Sequence, residues 1–432
     1  MKRGLAATVV ALGLVGCSGS DDAGGAAGAS GANTGGANTG GGANTGGGAN
    51  TGGAGATGTG GHAGATGSGG GSGSTGSGGG SGSTGAWNAG NPDGSCSDGV
   101  PAGGALADTS KPATVVGSGD AASCTFAALE AAVAKGGVIT FDCGAEPVTI
   151  SVTTTLELPT DKDTVIDGGR KVTLDGGDAV RILSFNHGDW QKNETRVTLQ
   201  RLALTRGHAR PTERIPDAPP PCSQGWNDGE GGALFMRDGN LTVIDSIFTD
   251  NRAAELGPDT GGGALYVQGS KHGALIVGST FQRNQASNAA AVGGLFCAFE
   301  IVNSLFSDNR AVGNGANNDD ASQCSVINNG QHEIGSGGNG GAIYSDGVSV
   351  NLTVCGSKIV DNAAGEGAFG GGLFFTSNDF GGDLTFIDTT MTGNTGGHWT
   401  QVKTGSTTNA GTAVGTNCRS LTIRNSTLQG VP

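Results

Sequence analysis

Charged and aromatic side chains are scarce in this chain of 432 residues: 14% are charged and 5% aromatic, with two Tyr and four Trp. A helical bundle or a doubly wound α/β enzyme draws on more of both, so neither class fits. His-Glu-x-x-His, a phosphate loop, Gly-x-Ser-x-Gly and Cys-x-x-Cys are missing, and the six His have no metal-ligand spacing. These absences remove the common zinc-protease, nucleotide-binding, hydrolase and redox motifs, and no metal site is expected. Basic residues are also few. With 23 Lys and Arg against 37 Asp and Glu, the chain lacks the basic surface that displaces counterions from a duplex, so nucleic acid is not an expected partner.

Glycine, by contrast, is abundant at 88 residues, and its distribution divides the chain. Residues 1–17 read MKRGLAATVVALGLVGC. A basic start, an apolar run from Leu5 to Val15 too short for a permanent membrane span, and a small residue before Cys mark an export leader. Leu14-Val15-Gly16-Cys17 resembles the bacterial lipobox. That resemblance implies lipidation of Cys17, cleavage before it, and stable anchoring by several acyl chains. Ser18 in the next position resembles lipoproteins sorted to the outer membrane. The expected location is therefore the bacterial outer membrane, lipid-anchored, and surface-exposed or periplasm-facing. Residues 18–86 repeat units such as GANTGG and GSGGGSGSTG. They hold nothing to bury and read as a disordered tether with a root-mean-square reach of roughly 45 to 50 Å. The foldable region is 87–432. It contains Cys96, Cys124, Cys143, Cys222, Cys297, Cys324, Cys355 and Cys418. An even number in an exported chain points to disulfides, whose pairing stays open among 105 connectivities.

Self-similarity carries the fold. A Gly-Gly motif recurs as GGALFM (231–236), GGALYV (262–267), GGLFCA (293–298), GGAIYS (340–345) and GGLFFT (371–376). Each precedes a pattern ending in Asn: LTVIDSIFTDN to Asn251, ALIVGSTFQRN to Asn284, FEIVNSLFSDN to Asn309, LTVCGSKIVDN to Asn362 and LTFIDTTMTGN to Asn394. An incomplete copy follows at 421–430. Eight residues before each Asn stand Val243, Ile276, Ile301, Val354 and Phe386; three before it stand Phe248, Phe281, Phe306, Ile359 and Met391. Polar residues alternate with them, which is strand periodicity. One such unit cannot bury its apolar face, whereas copies stacked about 4.8 Å apart share a continuous core. The paired Gly suit sharp corners, and the five Asn are expected to stack as a structural amide ladder.

The GGA-[IL]-[FY] and F-x-x-N pairs resemble the repeats of the chlamydial-type polymorphic outer membrane proteins, within the wider class of right-handed parallel β-helices typified by pectate lyases. CTFAALEAAVAKGGVITFDCG (124–144) looks like the short capping helix and first strand that open many such solenoids. Its Phe126, Leu129 and Val133 share one helical face, and Gly136-Gly137 stops the helix. On that resemblance Cys124 and Cys143 flank the capping unit and are expected to staple it. TVIDGGRKVTLDGG (164–177) agrees. The resemblance covers about 115–430 and implies an all-β fold, a right-handed parallel β-helix of pectin-lyase-like type with a short N-terminal capping helix. The alternating strands of the membrane barrel through which that family exports its passenger do not follow the repeats. Lipid at Cys17 is the expected anchor instead.

Three stretches between an Asn and the next Gly-Gly are long: 208–230, 310–339 and 395–420. Stacking geometry puts the first two on one edge, roughly 15 Å apart, and loops on a rigid scaffold are where function concentrates. Trp226, His398 and Trp399 on these loops are candidate ligand-binding residues, because indole faces stack on sugar rings, and His332 lies among them. Asp228, Glu230, Asp319 and Asp320 are candidate acid–base or calcium-holding carboxylates. A lyase route would need a base, for which Arg206 and Arg210 are candidates, and calcium to neutralise a substrate carboxylate; no cofactor is otherwise expected. The plainer reading has the Trp covering the solenoid flank and the carboxylates solvated. Asp245, Asp388, Asp250, Asp308 and Asp361 recur at equivalent positions, and Asp238 and Asp346 precede Gly, so all read as turn residues. The sequence favours a non-catalytic envelope module for adhesion, structure or glycan binding, with a polysaccharide or a surface protein as partner. The alternative is a polysaccharide lyase or glycoside hydrolase with its cleft at the corner loops.

Overall fold

A computed structural model describes residues 87–219, 222–313, 324, 326–328, 331–332, 335–365, 367–396, 401–404, 407–410 and 413–430. Strands dominate, and among the described residues they form a 17-stranded and a 10-stranded sheet in which successive repeats pair in parallel. In the larger sheet, Asn240–Ile244, Ala274–Val277, Phe299–Val302, Leu352–Cys355, Asp383–Ile387 and Ser420–Arg424 lie side by side. Val243, Ile276, Ile301, Val354, Phe386 and Ile423 thereby form one column. Phe248, Phe281, Phe306, Ile359 and Met391 form another. Long parallel sheets with few helices are compatible with a β-helix. The first three rings of the second column stack with centroids 4.8 Å apart and planes 5° and 6° from parallel. Each buried side chain in these columns is worth about 1.5 to 3 kcal/mol of transfer free energy.

Register in the smaller sheet corrects two copies of the Gly-Gly motif. Leu234, Leu265, Val292, Ile343, Leu373 and Val414 share a column. The corner residues three positions earlier are Gly231, Gly262, Ala289, Gly340 and Gly370, all with φ between 47° and 66°. The third copy therefore turns at Ala289, and the fifth starts at Gly370. Gly293 and Gly294 lie inside the strand Val292–Leu295. A Cβ on Gly293 would sit 2.7 Å from the Tyr266 ring, and one on Gly294 2.2 Å from the Phe299 ring. This glycine pair makes room for aromatic rings and does not turn the chain.

Polar ladders run alongside the apolar columns. Asn251 Nδ2 donates to Asn284 Oδ1 at 3.0 Å, and the same bond repeats from Asn284 to Asn309 (3.0 Å), Asn309 to Asn362 (2.8 Å) and Asn362 to Asn394 (2.9 Å). Gln429 Oε1 ends the series by accepting from Asn394 N. Five residues before each Asn stands a second ladder of Ser246, Ser279, Ser304, Ser357 and Thr389, buried hydroxyls that each donate to the carbonyl two residues back. Asp245, Asp388, Asp250, Asp308 and Asp361 have φ between 47° and 59°, a left-handed conformation that Asp tolerates better than most residues; Asp238, φ 62°, is alike. Asp346 is not a turn residue. It lies in the strand Ile343–Gly347, is 1% exposed, and accepts from Tyr344 Oη (3.0 Å) and Asn378 Nδ2 (2.9 Å). Burial pushes its carboxyl up to about 7. Gly347 follows it because a Cβ there would crowd Phe296 and Val350.

The helix α1 (Phe126–Lys135) starts at Thr125, whose hydroxyl accepts from Ala128 N, and stops at Gly136, φ 67°. Leu129, Ala132 and Val133 are its buried residues. Cys124 and Cys143 are disulfide-bonded, as are Cys96 with Cys355 and Cys222 with Cys324. Cys297 is a buried thiol held well above its ordinary pKa by burial. Residues 87–113 form a strap that runs up the coils of the larger sheet and back. Trp87 Nε1 donates to Asp245, Asn91 N to Asn303 O, and Ser97 N to Asp388. On the return, Ala107 exchanges two bonds with Gln200, and Ala113 N donates to Val138 O.

Candidate functional site at the corner insertions

The 208–230 insertion leaves the scaffold at Gly207, whose N–H donates to Asn251 of the ladder. It then folds back on itself. Arg214 and Trp226 form an antiparallel bridge, Ile215 N donates to Gly225 O, and Asn227 N donates to Glu213 O. Ile215 is buried beneath this hairpin. Gly225 is required because a Cβ there would lie 2.1 Å from Leu256 O. Trp226 N and Gln224 N fix the hairpin to the scaffold through Leu256 O and Ser336 Oγ. The loops leave the scaffold three levels apart, as His208, Arg252, Gln285 and Arg310 pair in succession, and the Cys222–Cys324 bond joins them beyond it.

A cleft of about 400 Å³ opens along this hairpin, lined by Arg214, Asp217, Ala218, Gln224, Gly225, Trp226 and Leu256. That volume lies within the range of small-ligand sites. Arg214 Nη2 and Asp217 Oδ1 are paired at 2.7 Å and exposed, and Trp226 is half-buried. The arrangement combines an indole with a planar guanidinium, a carboxylate and an amide, which suits a ligand with one apolar face and a rim of hydroxyls.

Of the candidate catalytic groups, Asp228, Arg206 and Arg210 are bonded within the chain. Asp228 accepts from Thr212 N, Thr212 Oγ1 and Glu213 N, and so closes the base of the hairpin. Glu230 is half-buried, and desolvation pushes its carboxyl up to about 7. Arg181 lies beside it, donating to the carbonyls of Glu230 (2.8 Å) and Gly231 (3.1 Å) with its guanidinium 5.1 Å from the Phe235 ring centroid. Arg206 makes a two-pronged ion pair with Asp175, which raises its pKa. Arg210 donates to the carbonyls of Asp178 and Ala179. A base must lose its proton, and neither arginine is placed to do so. His332 belongs to the short strand Gln331–His332, while Cys17, Asp319, Asp320, His398 and Trp399 lie outside the described residues.

A second cleft, of about 290 Å³, lies between the strap and the Cys124–Cys143 bridge, with Thr109, Phe141, Lys171 and Arg201 in its lining. Its buried Asp167 is saturated by Arg201, Gln200, Thr109 and Gly169 N. Burial opposes ionisation there, but these bonds outweigh it and hold the carboxyl below its ordinary value. Among the described residues no three His, Cys, Asp or Glu side chains are grouped to hold a metal ion, and no helix is long and apolar enough to cross a membrane.

Sequence reasoning passed over the Ser ladder, the strap and two disulfides. The Ser ladder was visible as a hydroxyl five residues before each Asn; the bridges had no local signal. No protein family, curated protein or solved structure matches the chain.

Proposed function

We propose that this is a lipid-anchored bacterial outer-membrane protein whose right-handed parallel β-helix, with α1 as its cap, presents a non-catalytic glycan-binding module. The leader, Cys17 and the Gly-rich tether support the anchor. The observation that carries the binding reading is the cleft beside Trp226, in a hairpin held to the scaffold and cross-linked by Cys222–Cys324. A rigid lobe loses little entropy when a ligand binds. Asp228, Arg206 and Arg210 are committed to bonds within the chain, which speaks against acid–base work at this corner. One observation favours the hydrolase alternative: Glu230, with its carboxyl at about 7, could act as a general acid.

The test uses the mature chain with Cys17→Ser, oxidised, in gels containing neutral or acidic polysaccharides, with reducing ends scored in parallel with and without calcium. Retardation without new reducing ends, weakened by Trp226→Ala, is the expected result. Release of reducing ends that disappears in Glu230→Gln would replace the binding module with an enzyme.

A further inference from the structure

At the far end of the smaller sheet's strands, a second corner carries an aromatic ridge whose backbone is strained. Gln268, Leu295, Asp346 and Thr376 occupy consecutive levels of that sheet. At the first two levels the next residue begins the corner, and at the other two the strand runs one residue further. At the first of these levels Gly269 is left-handed, φ 66°, and at the next Phe296 adopts the same conformation, φ 52°. Glycine takes this conformation without cost, whereas a bulky aromatic residue rarely does. Phe380, in the turn two levels further on, is also left-handed, φ 54°, and 39% exposed. Such strain persists where something other than stability selects the side chain.

Phe380 is exposed and Phe296 half-buried, and neighbours extend them into a line. The ring of Trp190 lies on Gly269, where a Cβ would come within 2.6 Å of it, and it meets Phe296 edge-on with centroids 5.4 Å apart. Trp190 and Phe296 are half-buried, and Val348, on the level between Phe296 and Phe380, is 47% exposed. Apolar groups therefore recur along the stacking direction at intervals of about one strand spacing, ~4.8 Å. Several of the described charges flanking the line are paired within the chain. Lys192 pairs with Asp189, His187 with Asp238, and Arg419 with Asp383, while Asp379 accepts from Ser349, Ser377 and Gly381.

We propose that the ridge of Trp190, Phe296, Val348 and Phe380 is a platform for an extended, uncharged polysaccharide lying along the stack, with its sugar rings against the aromatic faces. The regular rise of the ridge is close to the advance per residue of an extended β-linked glycan, and the paired charges favour a neutral chain over an acidic one. This inference rests on the glycan-binding reading and adds to the Trp226 cleft a second contact surface at the opposite corner.

The test is affinity electrophoresis of the oxidised mature chain carrying Cys17→Ser in gels containing hydroxyethyl cellulose or polygalacturonate. Wild type is expected to be retarded by the neutral polymer, with the apparent affinity falling about tenfold in Trp190→Ala. Phe380→Gly should bind less tightly while melting no lower than wild type, since glycine relieves the left-handed backbone; this separates a binding role from a folding role. Undiminished binding in both variants would overturn the ridge. Retardation by polygalacturonate alone would overturn it while leaving glycan binding in place, and no retardation by either polymer would overturn both.

Discussion

Cys222 is bonded to Cys324 across 102 residues of sequence, and that bond ties the 208–230 insertion to the 310–339 insertion. The hairpin bearing Trp226 has one edge on Leu256 and Ser336. The disulfide supplies the second point of attachment.

Removing this bridge with Cys222→Ser and Cys324→Ser should loosen the hairpin and leave the sheets intact. Trypsin cleavage after Arg214 should accelerate while the far-ultraviolet circular dichroism stays the same. The loss in stability should stay within the roughly 2 to 4 kcal/mol usual for a disulfide. An unchanged cleavage rate would show that the scaffold hydrogen bonds suffice.

Phe281 is sandwiched between Phe248 and Phe306 and is fully buried. Phe281→Ala leaves a gap in the stack and should cost about 3 to 5 kcal/mol. Phe281→Leu, which keeps most of the volume, should cost clearly less. Urea midpoints measured at matched m-values would give both numbers.

Asn309 makes bonds in both directions along its ladder: its amide donates to Asn362 Oδ1 and Phe281 O, and its carbonyl accepts from Asn284. Asn309→Ala leaves several of these buried partners without a bond, at about 1 to 3 kcal/mol for each orphan. Gln282→Ala, one residue type removed from the buried row, should change stability by no more than about 0.5 kcal/mol. Equal effects from the two substitutions would deny the ladder a structural role.

Asp346 carries a carboxyl raised to about 7 by burial. A folded-state pKa above the unfolded one means the folded chain binds the proton more tightly. The associated stability is fully present below about pH 4 and is lost as pH rises towards 7, by up to about 1.4 kcal/mol per unit. Asp346→Asn, which can still accept from Asn378 and donate to Tyr344 Oη, should remove this part of the slope and gain on wild type as pH rises. Glu230, raised in the same direction, would account for slope that remains. Parallel stability profiles of the variant and wild type between pH 4 and 8 would refute the assignment to Asp346.

On the proposed lipidation of Cys17, Cys17→Ser should move the protein from the membrane fraction to the soluble fraction of expressing cells, because the proposal gives the acyl chains no other attachment point. Persistent membrane fractionation would place the anchor elsewhere in the chain.

Much of the architecture was legible because stacking sets equivalent residues on one another. The Asn five-fold recurrence, the Phe column and the period-2 strands are local patterns that are also tertiary contacts. Legibility failed where the local pattern has two physical causes. Gly293-Gly294 looks like a corner but clears space for Tyr266 and Phe299. Asp346-Gly347 looks like a turn but is a buried acid followed by a close-packed glycine. Of the candidate site residues, Trp226 lines a cleft, while Asp228, its neighbour in sequence, holds backbone and Glu230 lies beside Arg181.

By itself the sequence determined the stacked parallel strands, since they depend on a repeat read along one stretch of chain. Only the tertiary structure decided the register of the third copy, the partners of Cys96 and Cys222, and the strap of residues 87–113. It also decided which aromatic rings face solvent at the corner of Trp190 and Phe296. All of these depend on how side chains from distant stretches pack against each other, and no local pattern encodes that fit.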